Sequence, residues 1–99
     1  MTDKLRICGL EYLVTEGKLD DPIVMAQVDF QKKHITLHRG MDTEYKLLCT
    51  LHEAVHIIYH EAGLSDKTEE ETDVSVMSNG FYNLLRENKE FFKKYLYKP

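Results

Sequence analysis

His52-Glu53-Ala54-Val55-His56 sets two imidazoles four residues apart, with a carboxylate directly after the first. On a helix, residues four apart lie one turn from each other on the same face. Both rings can therefore reach one divalent cation while the glutamate stands beside the cation's remaining position. Zinc suits nitrogen and carboxylate donors in such a set, and it brings the acidity of bound water toward neutrality. A nearby carboxylate can then take the proton as water attacks a carbonyl. The pattern is that of a hydrolase, with His52 and His56 as metal ligands and Glu53 as general base.

A catalytic zinc site needs a third protein ligand and one open position. No histidine follows His60, so the candidates are carboxylates of the downstream run Glu69-Glu70-Glu71. Val74 and Met77 mark the inward face of that segment, and Glu70 and Glu71 lie one turn before Val74. Glu71 is the first choice and Glu70 the reserve, while Asp73 falls about a quarter turn off the face. His60 is excluded as a ligand with His52, because eight residues of helix span about 12 Å. It is read as a surface or substrate-side group. His34 and His38 are four apart on a strand, about 13 Å from end to end, and are read as solvent-side residues.

The elements that must position these groups are legible as periodicities. Leu5 to Thr15 alternates as one strand, bent or bulged at Gly9, and ends at Glu16-Gly17. A polar turn runs from Lys18 to Pro22. Ile23 to Phe30 and His34 to His38 then form a hairpin across Gln31-Lys32-Lys33, with Val28, Phe30, Ile35 and Leu37 as its apolar faces. Asp42 or Thr43 caps a helix from Glu44 to about Ala62, closed by Gly63, whose apolar positions are Leu47, Leu48, Leu51, Val55, Ile58 and Tyr59. Thr68 can cap a second helix, with Glu69-Glu70-Glu71 favoured at its positive end and Val74, Met77, Phe81, Leu84 and Leu85 on its apolar face. Lys89 to Tyr97 reads as a short third helix packed by Phe91, Phe92 and Leu96. Three strands followed by helices make an α+β fold.

The chain has 99 residues, 42% hydrophobic and 30% charged, which fits one domain over residues 1–99 and leaves no room for two cores. A domain of this size is marginal, and a bound metal would add folding energy. The net charge is −4 and the basic residues are scattered, apart from Lys93, Lys94 and Lys98 near a helix end. Neither nucleic acid nor a membrane is expected as a partner, and no leader or spanning segment is read, so the expected compartment is the cytoplasm. Cys8 and Cys49 are far apart and are expected to be reduced and buried.

Beyond the metal motif, the chain resembles the ImmA/IrrE-type zinc metallopeptidases, in the short form carried by phages and other mobile elements of bacteria. The resemblance runs from Ile7-Cys8-Gly9-Leu10-Glu11-Tyr12 through Ala26-Gln27-Val28-Asp29-Phe30 and His34-Ile35-Thr36-Leu37. It continues through Leu51-His52-Glu53-Ala54-Val55-His56 to the segment from Ser78 to Asn88. It implies a minimal zincin fold, a small three-stranded antiparallel sheet packed on the metal-bearing helix with one or two helices after it. It also implies a zinc peptidase acting on a repressor or other regulatory protein in the bacterial cytoplasm. His52 and His56 carry over as ligands and Glu53 as general base. The third ligand falls at Glu71, although Glu71-Thr72-Asp73-Val74 departs from the family's small-residue pattern, which leaves Glu70 open. The competing reading is a binding module of the same shape that sequesters a regulator without turnover. A metal-free structural domain is the third.

Overall fold

The computed structural model describes residues 3–21, 23–65 and 69–97. The expected cap at Thr68, Pro22 of the polar turn and Lys98 of the basic cluster lie outside these residues.

Strand β1 (Asp3–Ile7) pairs antiparallel with β2 (Leu10–Gly17), Ile7 opposite Leu10, so that Cys8 and Gly9 alone make the turn. Their φ angles are 53° and 79°. A positive φ at both central residues is what a tight type I′ hairpin turn demands. The segment read as one bent strand is therefore two strands. Cysteine is an unusual residue for the first turn position, and that is why Gly9 alone suggested only a bulge.

Strands β3 (Ala26–Asp29) and β4 (His34–His38) form the second hairpin, with Asp29 opposite His34 and Lys33 at φ 53° closing the turn. β3 is shorter than the alternation suggested, and Ile23 stands before it, 83% exposed. The two hairpins join through β2 and β4, which run parallel from Leu13 beside His34 to Gly17 beside His38. The sheet is thus four-stranded and mixed, in the order β1-β2-β4-β3, and corrects the expected three-stranded antiparallel sheet. Local alternation marks strands but carries no record of which distant strand lies alongside. Here the stretch after Gly17, anchored by buried Leu19, takes the chain to the far edge before β4 returns between β2 and β3.

Tyr12 and Val14 of β2 and Ile35 and Leu37 of β4 are buried against helix α1 (Thr43–Glu61), where they meet Cys49 and Ile57. Each such aliphatic or aromatic side chain contributes roughly 1.5–3 kcal/mol by leaving water. Asp42 is the N-cap, its Oδ1 accepting from the Tyr45 amide at 2.8 Å. At the other end Gly63, at φ 74°, lets its own amide donate to the His60 carbonyl and the Leu64 amide donate to the Tyr59 carbonyl, a Schellman closure. The buried line of α1 is Cys49, Glu53, Val55 and Ile57, while Leu47 and Ile58 are nearly half exposed. The apolar face is rotated from the expected one, because α1 is covered by the sheet on one side and by α2 on another, leaving those two residues at the margins.

Helix α2 (Glu70–Glu87) returns antiparallel to α1, with the Tyr59 hydroxyl donating to Asp73 near one end and Arg86 paired with Glu44 at 2.6 Å near the other. Val74 and Ser78 are its buried residues. Met77, Phe81 and Leu84 of the expected face are instead 37%, 47% and 47% exposed. Among the described residues, helix α3 (Lys89–Leu96) packs only on α2 and buries nothing fully. Phe91 and Leu96, expected to pack it, are 59% and 65% exposed. Cys49 is buried as expected, but Cys8, carried at the hairpin tip, is exposed. Among the described residues no helix is long and apolar enough to cross a membrane.

Candidate metal centre

Asp42 caps the start of α1, and packing of that helix on the sheet and on α2 turns His52 and His56 toward the first turn of α2. Their rings stand edge to face, with centroids 5.0 Å apart. Glu71 reaches across from α2, its Oε1 2.7 Å from His52 Nε2 and its Oε2 2.9 Å from His56 Nε2. One ligand atom from each of the three lies within 4.8 Å of the others, a group that can hold a metal ion. In a tetrahedral zinc site with bonds near 2.0–2.1 Å, neighbouring ligand atoms are about 3.3 Å apart. The donor set therefore fits zinc after a small withdrawal of the Glu71 carboxylate. That side chain is 71% exposed and free to make the movement.

The first-choice ligand set, His52, His56 and Glu71, is thus brought together. Glu70 is not at the same position. It meets the opposite nitrogen of His56, with Oε2 2.6 Å from Nδ1. Asp73 faces Tyr59 instead, consistent with its offset from the ligand face. His60 stacks on Phe30 at 4.2 Å. His34 Nε2 lies 2.7 Å from the Thr15 hydroxyl, and His38 Nδ1 donates to the Arg39 carbonyl. None of these three histidines joins the ligand group.

Glu53 follows His52 by one residue, about 100° around the helix, which turns it from α2 toward the sheet. It is only 7% exposed, yet it lines the cleft beside His52. Burial pushes its carboxyl above the usual carboxylate range, opposed by His56 and His52, with Glu71 adding to the rise. A carboxylate kept reluctant to ionise is a better proton acceptor than a solvated one.

Two hollows meet at Glu53. One, of about 330 Å³, is walled by Val24, Met25, Tyr45, Leu48 and Cys49 beside His52. The other, of about 530 Å³, runs along Ala26, Gln27 and Val28 past His52 and His56 to His60. β3 is the edge strand beside this second hollow, and among the described residues no strand pairs with its outer side. Sequence reasoning did not find the apolar wall. Tyr45 and Cys49 belong to the same helix as the metal motif, but Val24 and Met25 precede β3, and only the crossover brings them near. Comparison of the chain with models of protein families, with curated proteins and with solved structures finds no match to any of them.

Proposed function

We propose that this chain is a zinc-dependent peptidase of the ImmA/IrrE type, acting on a regulatory protein in the bacterial cytoplasm. The observation that carries the reading is the convergence of His52, His56 and Glu71 on one point, with buried Glu53 opening onto the same cleft. When bound, zinc would acidify water and polarise a peptide carbonyl. His52 and His56 would hold it through Nε2 and Glu71 through a carboxylate oxygen. Glu53 would accept a proton at its carboxylate and return it to the leaving amine, a cycle suited to a group whose affinity for protons is raised.

An extended peptide fits the outer edge of β3, where backbone hydrogen bonds would hold it in register past Glu53 and where the 330 Å³ hollow would take an apolar side chain. Strand addition of this kind fixes the scissile bond by main-chain geometry, and the hollow adds selectivity for one side chain.

The test is zinc content and cleavage of a peptide library by wild type and Glu53→Gln. Both should bind one zinc per chain, and the variant should lose about 100-fold or more of the turnover. Equal cleavage by the variant would remove Glu53 from the chemistry. If neither cleaves but both capture the same regulator, the chain is a binding module.

A further inference from the structure

We infer that Glu70 is a positioning residue for the metal, holding His56 from behind so that its Nε2 faces the ion. The inference deepens the zinc reading above and rests on it. Glu70 and Glu71 are neighbours on the first turn of α2, about 100° apart around its axis, and they approach the His56 ring from opposite sides. Glu71 meets Nε2 at 2.9 Å and Glu70 meets Nδ1 at 2.6 Å. Only the Nε2 side also faces His52 through Glu71, so the Nδ1 contact lies outside the ligand group.

Their environments differ as sharply as their partners. The Glu71 side chain is 71% exposed, as expected for an acidic residue in a first helical turn, whereas that of Glu70 is 14% exposed. Its second oxygen, Oε1, is buried without a hydrogen-bond partner among the described residues. A buried carboxylate with one oxygen unsatisfied is unfavourable for folding by itself. The Nδ1 hydrogen bond is what Glu70 gains there. With a proton on Nδ1 donated to Glu70, His56 presents the Nε2 lone pair, and the carboxylate fixes the ring plane and raises its donor strength.

Zinc affinity measured by chelator competition, with thermal melts of the metal-free proteins as a folding control, tests the assignment. Wild type should bind one zinc. Glu70→Gln, which keeps an acceptor oxygen but loses the charge, should weaken binding by about 10-fold, and Glu70→Ala by up to about 100-fold. Proton–nitrogen correlation spectra of zinc-loaded wild type give a second readout that needs no variant to fold: the His56 proton should sit on Nδ1 and the metal on Nε2. Variants that bind within twofold of wild type, or metal found on Nδ1, would overturn the role. A loss for Glu70→Ala as large as for His56→Ala, with Glu71→Ala unaffected, would overturn it in favour of Glu70 as the ligand. Failure of wild type itself to bind zinc would instead overturn the metal reading on which it stands.

Discussion

Glu53 is a buried carboxylate, which is unfavourable for the fold. In the metal-free protein its carboxyl is pushed up chiefly by burial, so the folded chain holds a proton that the unfolded chain releases more easily. The stability this contributes is fully present below the unfolded value. It is lost as the pH rises through the folded one and the buried carboxyl gives up its proton. Metal-free Glu53→Gln should therefore melt a few degrees higher than wild type at about pH 7, with the difference closing below about pH 4. Thermal melts in excess chelator across that range decide it, and a variant that melts lower at neutrality would contradict the burial argument. Glu70 is also buried at a cost, since one of its carboxylate oxygens has no partner among the described residues.

At the scale of elements, the helix carrying His52 and His56 is capped at both ends. Asp42→Ala removes the side chain that accepts from the Tyr45 amide and should cost about 1 kcal/mol, measured by denaturant unfolding, with zinc affinity weakened as the first turn frays. This helix was the most legible part of the chain, because a cap, a glycine stop and a three-to-four spacing all agree over Asp42 to Gly63. The carboxylate that meets both histidines was legible to within one residue, since Glu70 and Glu71 both lie one turn before Val74. Only the packing of α2 on α1 assigns them to different nitrogens of one ring. The parallel pairing of β2 with β4 was not legible at all. It depends on residues about twenty positions apart, and no local pattern encodes such a partnership. The apolar faces of α1 and α2 were misjudged for a related reason. Hydrophobic spacing assumes one covering surface, whereas α1 has two, the sheet and α2.

Across the whole molecule, the cleft, the metal group and the edge strand β3 occupy one side, while β1 forms the opposite margin of the sheet. α3 extends from the far end of α2 and adds little to either. A chain ending at Asn88 should keep zinc affinity within about threefold and lose no more than about 5 °C of melting temperature, because no residue of α3 is fully buried. A collapse of the melt, or loss of metal, would show that Phe92 and its neighbours hold α2 in place. The turn that splits the N-terminal segment into two strands carries a further consequence. It displays the Cys8 thiol at the margin away from the cleft, whereas burial pushes the Cys49 thiol up and keeps it from reacting. The folded protein thus offers one natural attachment point. A dye, spin label or resin coupled to that sulfur would leave the cleft on the opposite face uncovered.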